Sequence, residues 1–86
     1  MQDVKVTGFQ LRAARGALNW SVRDLADTTG VGTATIVRYE QEDGVPKARK
    51  GNLAVLVAAL ESAGIEFIGT PDDAPGIRIH RTRSAD

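Results

Sequence analysis

The side chains best equipped for chemistry in this chain hydrogen-bond and carry positive charge; they are not nucleophiles. There is no cysteine and only one histidine, His80. Disulfides, thiolate metal sites and His-rich metal sites are excluded on that ground. No nucleophile–His pair and no glycine-rich phosphate loop ending in Lys-Ser/Thr occurs in the 86 residues, so an enzyme is not expected and no cofactor is implied. His80 lies on the polar side of an alternating stretch and reads as an exposed or interface residue. The polar groups gather elsewhere. Ser21 and Arg23 precede a run holding Thr33, Ala34, Thr35, Val37 and Arg38, and Lys47, Arg49 and Lys50 follow it. Hydroxyls both give and accept hydrogen bonds, and a guanidinium offers two parallel donors. The chemistry on offer is noncovalent recognition.

These groups need a scaffold, and the sequence supplies its punctuation. Thr7 and Gln10 have capping-box spacing, with Val6 and Leu11 at the staple positions, so a first helix starts after Thr7 and ends near Leu18. Phe9, Ala13 and Ala17, with Leu11 and Leu18 nearby, are expected to form its apolar face. Ser21 and Asp24 repeat the box, with Trp20 and Leu25 as staple, and open a second helix running to about Thr29. Trp20 is therefore read as a packing residue. Gly30 can take positive φ and turn the chain sharply. A third helix starts near Thr33 and stops before Gly44-Val45-Pro46. A fourth covers Asn52 to Ala63, with Leu53, Leu56, Val57 and Leu60 as its stripe and Gly64 beyond its end. Ile65–Ile68 and Ile77–Arg81 read as short strands, Gly69–Gly76 as a loop, and Thr82–Asp86 as a frayed end.

Composition fits one small folded domain, 42% hydrophobic and 26% charged. The start lacks a long apolar run, so neither a signal peptide nor a membrane span is expected, and a cytoplasmic, nucleoid-associated location follows by default. The 11 Lys and Arg balance the 11 Asp and Glu. Zero net charge weakens a case for nucleic acid on bulk charge, yet distribution matters more than the sum. Lys47, Arg49 and Lys50 form one basic cluster, and Arg78, Arg81 and Arg83 another.

The run Leu25-Ala26, Gly30-Val31, Thr35-Ile36, Arg38-Tyr39-Glu40 resembles the lambda-repressor-like, Cro/cI-type (XRE) family of helix-turn-helix domains, over roughly Gly8 to Leu60. The resemblance implies a mainly α fold: a compact bundle of four to five helices whose second and third form the reader. Ala26 would face the third helix where the axes cross, and Leu25, Val31, Ile36 and Tyr39 would pin the pair to the bundle. It further implies an ion pair between Arg15 and Glu40 that locks the third helix.

In that geometry the third helix enters the major groove of double-stranded DNA. Thr33, Ala34 and Arg38 become the base contacts, with Thr35 and Val37 at the edge; Arg38 alone could fork onto guanine, or else contact phosphate. Ser21, Arg23, Lys47, Arg49 and Lys50 become phosphate contacts. Many relatives carry Gln where this chain has Val22, which cannot bridge to phosphate, so the contact is expected to pass in part to Arg23.

Two short strands are unstable alone in water. Residues 1–64 are therefore read as the DNA-binding domain and 65–86 as a β segment used in dimerisation, with Ile65, Phe67, Ile68, Ile77 and Ile79 pairing against a second chain. The alternative is a hairpin folded back on its own domain. The function expected is a small homodimeric transcriptional repressor of phage or bacterial type, reading a palindrome. Rival readings are an antitoxin that binds a toxin and represses its own operon, and a module that binds only protein. No small-molecule ligand domain is visible.

Overall fold

The computed structural model describes residues 5–48 and 51–80. Four helices come first, α1 (Gly8–Ala17), α2 (Val22–Thr29), α3 (Thr33–Glu40) and α4 (Asn52–Ser62). Two strands follow, β1 (Ile65–Thr70) and β2 (Asp73–Ile79). Both capping boxes form. The Thr7 hydroxyl accepts from the Gln10 amide while the Gln10 side chain accepts from the Thr7 amide, and Ser21 and Asp24 do the same for α2. Each box satisfies two backbone donors that a helix start leaves free.

α1 ends in a Schellman motif. Asn19 takes φ 62°, the Asn19 amide donates to Gly16 O, and the Trp20 amide donates to Arg15 O. Asparagine tolerates this left-handed position better than most residues. The turn delivers Trp20 and Val22 against the core, where both are half-buried. Val22 is thus a packing residue at the head of α2. Gly30 has φ 83° and donates to Ala26 O, closing α2 and reversing the chain into α3.

The core is the meeting of all four helices. Leu11, Ala14, Leu25, Ile36, Leu56 and Leu60 are fully buried, with Tyr39 and Ile65 nearly so. The apolar face expected for α1 holds at Leu11 and Leu18, which pack on the core, and fails at its other three members. Phe9, Ala13 and Ala17 are exposed, and the helix buries Gly8, Gln10 and Ala14 beside Leu11. Phe9 and Leu11 lie about 200° apart on a helix, so they cannot share a face. The chain buries the side carrying leucine and leaves Phe9 under the Arg12 guanidinium, 5.0 Å from its ring centroid.

The C-terminal strands pair with each other, antiparallel, with Ile65 opposite Ile79, Glu66 opposite Arg78 and Phe67 opposite Ile77. They form the hairpin folded back on its own domain, the alternative to the expected strand pairing with a second chain, because the bundle has a face to receive them. β2 lies along α1, and β1 follows directly from α4. Ile65 is buried, Phe67 and Ile77 pack on the core, and Ile68 is half-buried; Ile79 stays largely exposed. Gln10 clamps the hairpin, its Nε2 donating to Ile68 O at 3.1 Å and Gly76 O at 2.8 Å.

The loop expected over Gly69–Gly76 is also corrected: only Pro71 and Asp72 lie between the strands. At the register shift between Ile68 and Thr70, Ala74 and Pro75 of β2 oppose the single residue Gly69, which has φ 77° and where any Cβ would strike the Ala74 carbonyl. Pro75 is tolerated because each strand of a two-stranded sheet is an edge. The expected fraying of Thr82–Asp86 lies outside the described residues, as do Arg81 and Arg83.

Candidate nucleic-acid interface

α3 is eight residues long, and packing divides it cleanly. Ile36, Tyr39 and Glu40 point inward and are buried. Thr33, Ala34, Val37 and Arg38 are exposed, as is Gln41 just past the last turn. Spacings of one, four, five and eight residues put these five on one side of a helix. Thr35 is half-buried at the margin of that face. Gln41 is the residue sequence reasoning overlooked; its spacing of four from Val37 was the available signal.

The N-terminus of α3 is open. Gly32 caps it without a side-chain hydrogen bond, and no acidic residue lies in its first turn. Its first amides therefore point outward with the positive end of the helix dipole, next to the Thr33 hydroxyl. α2 is the opposite case. The Ser21 amide donates to Asp24 Oδ2 at 2.8 Å, and the Asp24 amide donates to Ser21 Oγ at 2.9 Å. The hydroxyl expected to meet phosphate is thus already engaged, with a carboxylate beside it. Arg23 is exposed and lies 3.8 Å from Asp27, one turn along.

The far end of α3 is locked by α1. Arg15 Nε donates to Glu40 Oε2 at 2.8 Å and its Nη2 donates to Glu40 Oε1 at 2.9 Å, a two-pronged pair. Its Nη1 donates to Trp20 O at 2.9 Å, so one guanidinium ties α1, the head of α2 and the end of α3 together. The Glu40 hydrogen bonds raise the Arg15 pKa above its ordinary value, against the opposing effect of burial. Arg12 donates to the Glu40 backbone carbonyl, serving a helix end whose carbonyls lack partners. Gly8 completes the joint: a Cβ there would overlap Tyr39 O and Glu42 O, so α1 and α3 touch backbone to backbone.

Beyond α3 the chain folds into a groove lined by Arg38, Tyr39, Glu42, Val45, Pro46 and Lys47. Lys47 is exposed there, whereas Arg49 and Lys50 lie outside the described residues. Of the groups expected to dimerise, Ile65, Phe67 and Ile77 are spent on the chain's own core, leaving Ile79 most exposed. Among the described residues no cluster of His, Cys, Asp or Glu could hold a metal ion, and no helix is long and apolar enough to cross a membrane. Residues 11–50 match the family model described as helix-turn-helix, a stretch that holds α2, α3, the Arg15–Glu40 pair and the groove-lining residues. No curated protein matches the chain.

Proposed function

We propose that this chain, whose residues 11–50 are a helix-turn-helix of the lambda-repressor-like XRE family, is a sequence-specific transcriptional repressor that acts as a homodimer on a palindromic operator. The domain itself implies binding to double-stranded DNA. The observation that carries the reading is the free face of α3. One side of the helix is anchored by Ile36, Tyr39 and Glu40, and the other offers a hydroxyl, two apolar contacts and a cation.

In the major groove, the N-terminal residues of such a helix meet base edges. Thr33 has a hydroxyl for a base or phosphate, and Ala34 and Val37 can pack on a thymine methyl. The open helix start adds unpaired amides that can donate to a phosphate or a base edge. Phosphate contacts fall to Lys47, Arg49 and Lys50, with Arg23 available beside α2. So few base contacts per copy favour two copies on successive major-groove faces, roughly 34–36 Å apart. The exposed Ile79 and the outer edges of the hairpin are the surface we assign to that pairing, in place of Ile65, Phe67 and Ile77.

Selection of bound duplexes from a random pool tests this directly. A two-fold symmetric sequence with half-sites about 10 base pairs apart is expected. Failure to enrich any sequence would remove the reading, and a single unpaired half-site would remove the dimer.

A further inference from the structure

Arg38 has two targets on a duplex, a guanine edge and a phosphate, and the placement of its side chain separates them. Long side chains on a helix normally run back toward its N-terminus. On α3 that direction would carry the guanidinium over Ala34, to the end of the helix where bases are met. Instead it sits over the ring of the next residue, its central carbon 5.4 Å from the Tyr39 centroid. It also lines the groove made with Glu42, Val45, Pro46 and Lys47, past the C-terminal end of the helix.

That position is held by a fixed platform. Tyr39 is buried, and its hydroxyl accepts a hydrogen bond from Asn52 Nδ2 at 3.3 Å, tying the ring to the head of α4. Pro46 is buried too, which stiffens the opposite wall. A guanidinium lying on an aromatic face keeps its N–H edge free to donate. Lys47 brings a second cation to the same groove, and among the described residues neither it nor Arg38 is in a salt bridge.

We propose that this groove is a clamp for one backbone phosphodiester, held jointly by Arg38 and Lys47, and that Arg38 reads no base. The proposal rests on the duplex-binding reading above. Base choice then belongs to Thr33, Ala34, Val37 and Gln41. Glu42 lines the same groove and weakens the clamp by its charge.

The test uses the full chain and the duplex that wild type selects from a random pool. Arg38→Ala, Arg38→Lys and Lys47→Ala are compared with wild type across a salt series. Far-ultraviolet circular dichroism is recorded on each variant. A lost phosphate contact lowers the slope of log affinity against log salt by about 0.9, which is roughly a fivefold loss at 0.15 M. Arg38→Ala and Lys47→Ala should each show this, with the preferred base at every position retained, and Arg38→Lys should keep most of the slope. Relaxed preference at one base pair in both Arg38 variants would overturn the proposal, as would an unchanged salt slope. Absence of duplex binding by wild type would instead remove the reading on which it rests.

Discussion

Glu40→Ala removes a carboxylate whose side chain is 6% exposed and leaves Arg15, 22% exposed, without its partner. Deleting one member of a buried ion pair costs about 3–5 kcal/mol, because the survivor stays desolvated and uncompensated. Arg15 keeps its bond to Trp20 O and some water, which places the cost near the bottom of that range, at about 3 kcal/mol. A chain of 86 residues has a total stability of about 4–13 kcal/mol, so the loss is a large fraction of the whole. Glu40→Gln keeps the shape and one acceptor and should cost about half as much, since it still leaves a charge facing a neutral group. Urea unfolding followed by circular dichroism gives the numbers. Arg15→Met combined with Glu40→Met closes a double-mutant cycle, and the pair should lose less than the two single changes added. A cost below about 1 kcal/mol for Glu40→Ala would show that the pair behaves as an exposed one and refute the locking role.

Further outcomes are as concrete. Gly8→Ala should cost about 2–4 kcal/mol because backbone on both sides cannot yield, whereas Gly16→Ala, with open space around it, should gain about 0.5–1 kcal/mol in the same unfolding assay. Gln10→Ala strips the hairpin of its clamp and α1 of half its capping box; a loss of about 1–3 kcal/mol is expected, with hydrogen exchange speeding first in β1 and β2. Asp24→Asn keeps an acceptor for the Ser21 amide but removes a negative charge from the head of α2, so DNA affinity should rise a few-fold at low salt and converge on wild type at high salt.

Glu66 gives a prediction in pH. Its carboxyl is held below the usual range by the hydrogen bond from His80, with Arg78 adding to the effect. A depressed folded-state pKa contributes stability above the unfolded value of about 4.3 and loses it as pH falls through the folded one. An NMR titration of the Glu66 carboxyl should therefore place its midpoint below that value, and His80→Ala should bring it part of the way back, with Arg78 holding the remainder. A midpoint unmoved by His80→Ala would reject the assignment.

Local sequence signals read the helices well, because their causes lie within a few residues. Thr7 and Gln10, or Ser21 and Asp24, make their capping boxes inside one turn. Gly30 takes its left-handed turn for want of a Cβ, and the leucine stripe of α4 is visible in its spacing. The pairing of Arg15 with Glu40 spans 25 positions and was legible only through resemblance to a family. Phe9 shows the limit. Its hydrophobicity suggested a buried face, but tertiary contact chose the other side of α1, where Leu11 and Ala14 meet the core.

The hairpin shows the same limit at larger scale. Its alternation is in the sequence, but whether it meets a second copy or its own bundle is decided by Gln10, 58 positions from Ile68, and by a free face between α1 and α4. The sequence by itself determined the helices, the capping boxes of α1 and α2 and the outer face of α3 apart from Gln41, since each follows from local backbone and spacing. Only the tertiary structure decided which face of α1 is buried, where the strands dock and which way Arg38 points. Those depend on atoms distant in the chain competing for one core and one platform, and no local pattern encodes that competition.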